Sequence, residues 1–163
     1  VEGGGYDFYL PSSSVLSVET RFFQSTPEKT LTIPSTAARV ITVGAYDTYT
    51  EAYADFSGRG RNMPPSSVNI KPDFVAPGVN IKTLSPGNVP VAVSGTSFAT
   101  PFASGSAALL MEWGIVREND PFLYGEKVKA YLRRGARTLR SESVYPNNRV
   151  GWGALCLARS LPD

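Results

Sequence analysis

Apolar residues along this chain form short extended runs and two longer helical stretches. One nearly continuous apolar run covers 39–45, and a second covers 73–78, where a Pro-Gly pair closes it. Such runs are typical of parallel strands that are covered on both faces. Residues 98–113 are apolar or small around almost the whole helical circumference, which predicts a buried helix. A shorter amphipathic helix is predicted over 126–134, so the pattern as a whole predicts an α/β layer fold.

The first thirty residues differ in composition from the rest of the chain. They are rich in glycine, serine and aromatic residues, and the alternation over Tyr6–Leu10 together with the run 15–23 predicts strands. We therefore expect residues 1–30 to form a strand-rich leader or insertion. This leader is expected to belong to the same domain as residues 31–163.

Composition excludes several classes of function. The 163 residues carry a net charge of only +2, which does not favour binding to nucleic acid or to a membrane surface. No segment is long and apolar enough to span a bilayer. The single cysteine, Cys156, cannot form an internal disulfide, and the chain contains no histidine. Nothing in the sequence indicates a cofactor or a metal.

A serine stands where an extended run ends and the long apolar helix begins, in the sequence Ser-Gly-Thr-Ser-Phe-Ala-Thr-Pro of residues 94–101. A serine at such a junction can expose its hydroxyl group and direct its backbone N–H toward an approaching group. Ser97 is therefore a candidate nucleophile, although the chain has no histidine to act as its general base. The alternative interpretation is simple helix capping by the hydroxyl of Thr96 or Ser97.

Three blocks of sequence, in this order, resemble the subtilases, the subtilisin-like serine peptidases. The blocks are Ile33–Ala45, Lys71–Gly78 and Gly95–Pro101. The segment after the serine, with 111–114 and 151–153, is similar to clostridial subtilases related to spore-germination proteases. The resemblance covers 31–161 and implies the C-terminal part of a catalytic domain. The implied fold is a partial doubly wound parallel sheet of the subtilisin type with flanking helices.

The resemblance implies that Ser97 is the nucleophile of a serine endopeptidase. The aspartate, the histidine and the oxyanion asparagine of the family all precede the matching segment, and none can be placed on a residue here. We therefore expect an upstream part of the same polypeptide to supply them, and we expect the chain alone to be inactive. A start at Val1 likewise suggests a fragment.

Residues next to the serine are candidates for substrate binding. Ser94 and Gly95 are expected to line the substrate cleft, and Gly95 leaves no side chain in the path of a substrate backbone. Thr96 could support the oxyanion site, or it could act only as a cap. Phe98 stands where several relatives carry methionine.

Earlier in the chain, the resemblance places Thr32 near the floor of the primary specificity pocket, beside a cis Ile33–Pro34 peptide bond. Asp73 could act as an acid or base, or it could make structural hydrogen bonds at a turn and strand end. A basic set is expected to be a solvated helix face and its exit. It comprises Lys127, Lys129, Arg133, Arg134, Arg137 and Arg140.

Two other functions stay open beside a peptidase that acts on extended peptides. One is a subtilase-fold pseudoprotease that binds or signals, and the other is an interaction module without chemistry. Secretion, or association with a bacterial spore, is suspected from the resemblance. Because a doubly wound sheet without its first strands exposes an edge and an apolar face, we expect the segment alone to self-associate, or to bury that face by domain swapping or by staying docked on its upstream half.

Overall fold

The computed structural model describes residues 6–11 and 13–162. A 3₁₀ turn covers Ser13–Val15 and a π-helical turn covers Glu112–Val116. The strands are β1 (Val43–Asp47), β2 (Ala52–Tyr53), β3 (Phe74–Pro77), β4 (Ile81–Ser85) and β5 (Val89–Val93). The helices are α1 (Thr96–Met111), α2 (Glu126–Gly135) and α3 (Leu157–Ser160).

The central sheet has the strand order β2-β1-β3. β1 and β3 are parallel, with Val43 opposite Phe74, whereas β2 is antiparallel to β1. Residues 153–155 extend the outer edge of β3, because the Leu155 N–H donates to the Val75 carbonyl over 2.8 Å. The expected α/β fold with parallel strands is confirmed, although β1 begins only at Val43 and residues 39–42 form a loop.

Small side chains let α1 lie close to the sheet. Ala99 of α1 packs against Ala45 of β1 and Ala76 of β3, and all three are completely buried. Gly78 continues this contact, since a Cβ there would lie 2.6 Å from the Cβ of Ala45 and 3.1 Å from the Gly95 carbonyl oxygen. Glycine at 78 is therefore required for the approach of the serine segment to the sheet.

The outer face of α1 is exposed in this chain. Phe102 and Leu109 are 43% and 54% exposed, while the buried residues of the helix are Ala99, Ala103 and Leu110. The prediction of a helix buried all round is therefore wrong for this segment. Exposed apolar side chains on one helix face are typical of a surface that another part of a protein covers.

Within residues 6–11 and 13–30, the structure contains no strand. The strands predicted over 6–10 and 15–23 are therefore wrong. The end of this segment joins the domain through its backbone, since Lys29 N donates to the Gly60 carbonyl over 3.2 Å and Thr30 N donates to the Arg59 carbonyl over 2.8 Å.

β4 and β5 form an antiparallel hairpin that leads directly into the serine segment. Its turn is at Ser85–Asn88, where the Asn88 N–H donates to the Ser85 carbonyl over 3.1 Å. The hairpin begins just after Gly78 and ends just before Gly95. The N–H of Gly95 donates to the carbonyl of Gly78 over 2.8 Å, so the two ends of the hairpin meet.

The second helix packs on the third at a glycine. Gly135 is the last residue of α2, and a Cβ there would lie 2.5 Å from the Cα of Ser160. This close contact with α3 is the reason for a glycine at the end of α2. Throughout residues 6–11 and 13–162, each helix is too short or too polar to cross a bilayer.

Candidate active site

Ser97 lies in the first turn of α1, and it is exposed. The N-cap residue is Gly95, with φ 155° and ψ 155°, a conformation that side chains disfavour. The Gly95 carbonyl accepts hydrogen bonds from the N–H groups of Phe98 and Ala99, over 3.1 and 3.3 Å. The chain therefore turns sharply into the helix at Gly95 and places the next two residues at the N-terminal end of α1.

The capping interpretation of the serine motif is wrong. No side chain caps this end of α1 among the described residues, because the N-cap is a glycine. The first N–H groups of a helix have no intrahelical partner, and the helix dipole places partial positive charge at the same end. The mouth of α1 can therefore stabilise a negative charge that develops beside Ser97.

Ser97 opens onto a cleft of about 740 Å³. Thr32 and Thr96 line the same cleft, so the structure brings together three of the residues predicted from the sequence. The Ile33–Pro34 peptide bond beside Thr32 is cis, as predicted. Further lining residues include Pro34, Ser35, Val40, Ile41, Thr42, Val43, Gly44, Phe56 and Thr100.

The other three predicted residues lie next to the cleft but do not line it. The Ser94 hydroxyl accepts a hydrogen bond from the Asn80 N–H over 2.9 Å, at the base of the hairpin. A Cβ on Gly95 would lie 3.5 Å from the ring of Phe98, so that ring packs over the glycine. Substrate contact by Ser94, Gly95 and Phe98 stays a prediction.

One side of the cleft is formed by residues 40–44, which we call the cleft wall. Sequence reasoning assigned these residues to a buried strand and missed their place at the site. Within the wall, Thr42 is buried and its hydroxyl donates to the Ser35 carbonyl over 2.5 Å. Its N–H donates to Oδ2 of Asp73 over 2.6 Å.

Asp73 has a structural role, because it is completely buried and does not line the cleft. Its carboxylate contacts three cations, with Lys71 Nζ at 2.9 Å, Lys129 Nζ at 3.4 Å and Arg133 Nε at 2.7 Å. The Arg133 guanidinium also lies 3.9 Å from the ring centroid of Trp152. We call Asp73, Lys71, Lys129 and Arg133 the Asp73 cluster.

The expectation of a solvated basic helix face is wrong for Lys129 and Arg133. Lys129 is only 6% exposed, and burial lowers the pKa of its ammonium group. The charge of Asp73 opposes this shift of the pKa, whereas the charges of Lys71 and Arg133 add to it. Burial therefore disfavours the charged form of Lys129, and the nearby Asp73 carboxylate partly offsets this cost.

The fold and the cleft define an α/β protein with a serine at the start of a helix, beside a parallel sheet. The chain belongs to the subtilase family, whose sequence model, described as the Subtilase family, matches residues 17–153. Serine protease AprX of Bacillus subtilis is 34% identical over an alignment of 154 residues that covers 82% of this chain and 32% of that protein. Subtilisin Savinase of Lederbergia lenta is 31% identical over 120 residues, 74% of this chain and 39% of the relative.

Solved structures give the same family. The CspB protease of Clostridium perfringens superposes with a TM-score of 0.78 and 48% identity, over 86% of this chain and 29% of that chain. The patellamide maturation protease PatA superposes with a TM-score of 0.64 and 31% identity, over 82% of this chain and 46% of that chain. The expected likeness to clostridial subtilases is therefore confirmed. This chain spans less than half the length of each of these proteins.

Proposed function

We propose that this chain is the serine-bearing part of a serine endopeptidase in which Ser97 attacks a peptide carbonyl and forms an acyl-enzyme. The observation that carries the proposal is the exposed Ser97 at an uncapped helix start, inside a cleft that Thr32 and Thr96 also line. Membership of the subtilase family supports it.

In the proposed reaction, the Ser97 hydroxyl oxygen bonds to the carbonyl carbon of the substrate, and the peptide C–N bond then breaks to release the amine. Water hydrolyses the resulting ester and frees Ser97. The backbone N–H of Ser97 and the positive end of α1 stabilise the oxyanion that forms. The Thr96 hydroxyl supports this oxyanion site, and Gly95 leaves room for the substrate backbone. An extended peptide segment is the substrate class that fits an open cleft beside a strand.

A general base must take the Ser97 proton and return it to the leaving amine. The chain contains no histidine, so we propose that an upstream part of the same polypeptide supplies the histidine, the aspartate that orients it and the oxyanion asparagine. The exposed apolar face of α1, with Phe102 and Leu109, is a suitable surface for that part. We propose secretion or association with a bacterial spore. Secretion is supported by a relative, the Minor extracellular protease Vpr of Bacillus subtilis, which is 36% identical over 119 residues.

A fluorophosphonate probe tests the proposal, because it reacts with a serine only when a base activates that serine. We expect Ser97 to be labelled in the polypeptide that includes the upstream region, and this chain alone to be labelled negligibly. Mass spectrometry of the labelled peptide identifies the residue. If the longer polypeptide is folded and is not labelled at Ser97, the proposal fails and a pseudoprotease that binds or signals is favoured instead.

Peroxide resistance gives a second prediction at the same site. Replacing Phe98 with methionine places an oxidisable thioether directly beside Ser97, whereas a phenyl ring cannot form a sulfoxide. We expect the Phe98→Met variant of the active polypeptide to lose activity in peroxide several times faster than the parent. A time course of residual activity measures this. Equal inactivation rates would contradict the prediction.

A further inference from the structure

The Asp73 cluster is bonded to the backbone of the cleft wall, although none of its four side chains lines the cleft. Asp73 accepts a hydrogen bond from the Thr42 N–H over 2.6 Å. Lys71 Nζ donates to the Val40 carbonyl over 2.6 Å. Charged groups behind the cleft therefore hold both an N–H and a carbonyl of the wall.

Lys129 reaches the same segment from α2. Its Nζ donates to the Ala38 carbonyl over 2.5 Å and to the Val40 carbonyl over 3.1 Å. The Val40 carbonyl thus receives two ammonium donors, one from Lys129 and one from Lys71. Hydrogen bonds from charged donors are about twice as strong as neutral ones, and these lysines are almost fully buried.

The excess of positive charge in the Asp73 cluster explains why its lysines bond to the backbone of the cleft wall. Lys71, Lys129 and Arg133 surround a single carboxylate, so one Asp73 cannot neutralise them all. The carbonyl dipoles at 38 and 40 accept the remaining ammonium donors. The wall is therefore bonded to the cluster through its backbone, in addition to the hydrogen bond of its own Thr42 hydroxyl to the Ser35 carbonyl.

We propose that Lys71 and Lys129 are positioning residues that set the affinity for substrate by holding the cleft wall in place. This inference rests on the proposed peptidase function. A wall that contacts the substrate equally in the ground state and the transition state contributes to KM and leaves kcat unchanged.

The test replaces Lys129 with methionine in the polypeptide that includes the upstream region. This substitution removes one of three crowded cations and leaves Asp73 paired with Lys71 and Arg133, so the fold is expected to persist. We expect KM for an extended peptide to rise about tenfold, with kcat within about twofold of the parent. The matched control is Lys127→Met, on the same helix, because Lys127 pairs with Asp120 over 2.6 Å at the surface.

Hydrogen exchange supplies a readout that does not need activity. In the Lys129→Met variant, the amides of residues 40–44 should exchange about tenfold faster, whereas Lys127→Met should not change them. A rise in KM together with faster exchange supports the proposal. If either quantity is unchanged in a folded variant, the proposal is overturned.

Two further outcomes can be distinguished from a failure of this proposal. If the parent polypeptide has no peptidase activity, the proposed function fails, while the exchange data still report whether the lysines hold the wall. If Lys129→Met does not fold, Lys71→Met takes its place, since it removes the other ammonium donor to the Val40 carbonyl. The same two readouts then decide.

Discussion

Replacing Ser97 with alanine should abolish peptide hydrolysis by the polypeptide that contains this chain. In subtilisin, a member of this family, removal of the serine lowers kcat by about 2 × 10⁶, and we expect a loss of about 10⁶ here. The reason is that no acyl-enzyme can form without the nucleophile, so only the contributions of the oxyanion site and of substrate binding are left. Steady-state hydrolysis of a chromogenic peptide measures the loss.

The matched control for this prediction is Ser104→Ala. Ser104 is an exposed serine on the same helix, seven positions further along, and among the described residues its hydroxyl hydrogen-bonds to the Thr100 carbonyl alone, over 3.4 Å. Its replacement should leave kcat and KM unchanged. A Ser97→Ala variant that kept more than about one hundredth of the parent kcat would remove Ser97 from the role of nucleophile.

Replacing Asp73 with asparagine should destabilise the protein by about 3–5 kcal/mol, the usual cost of leaving a buried charge without its partner. Lys71, Lys129 and Arg133 would then be buried around a neutral amide. Their mutual repulsion would no longer be offset, and Thr42 would lose a charged acceptor. The free energy of unfolding from urea denaturation measures the effect.

Asp120→Asn is the control, since Asp120 pairs with the single exposed cation Lys127. Its loss should lower the free energy of unfolding less than the loss of Asp73, because Lys127 is 44% exposed and solvent screens its charge, whereas the cations around Asp73 are largely buried. A second comparison is Lys129→Met, which removes a cation and should cost much less than Asp73→Asn. Equal effects of Asp73→Asn and Asp120→Asn would contradict the central place of Asp73 in the cluster.

The parts of the site that could be predicted are those encoded by neighbouring residues. A glycine, a threonine and a serine before a long apolar stretch predict a helix start with an exposed hydroxyl, and α1 does begin at Thr96 with Gly95 as its N-cap. The Pro-Gly pair after 73–76 predicts the end of a strand, and β3 ends at Pro77. In these cases local conformation decides the structure, so a single sequence is sufficient.

The parts that could not be predicted depend on distant partners. Alternation over Tyr6–Leu10 is compatible with a strand, but a strand also needs a hydrogen-bonded neighbour, and the described structure provides none there. Lys129 and Arg133 look like solvent-exposed helix residues because they lie in a basic segment, and no neighbouring residue indicates a buried carboxylate. Their partner, Asp73, lies on another element and meets them only in the folded chain.

The contact between Gly78 and Gly95 makes the position of Ser97 independent of the β4–β5 hairpin that precedes it. The backbone leaves the domain at Gly78 and returns at Gly95, and a hydrogen bond of 2.8 Å joins the two glycines. Most of the segment between them is the β4–β5 hairpin, so we expect changes at its turn, Ser85–Asn88, to leave Ser97 in place. The hairpin is therefore the natural location for grafting new recognition sequences next to the cleft.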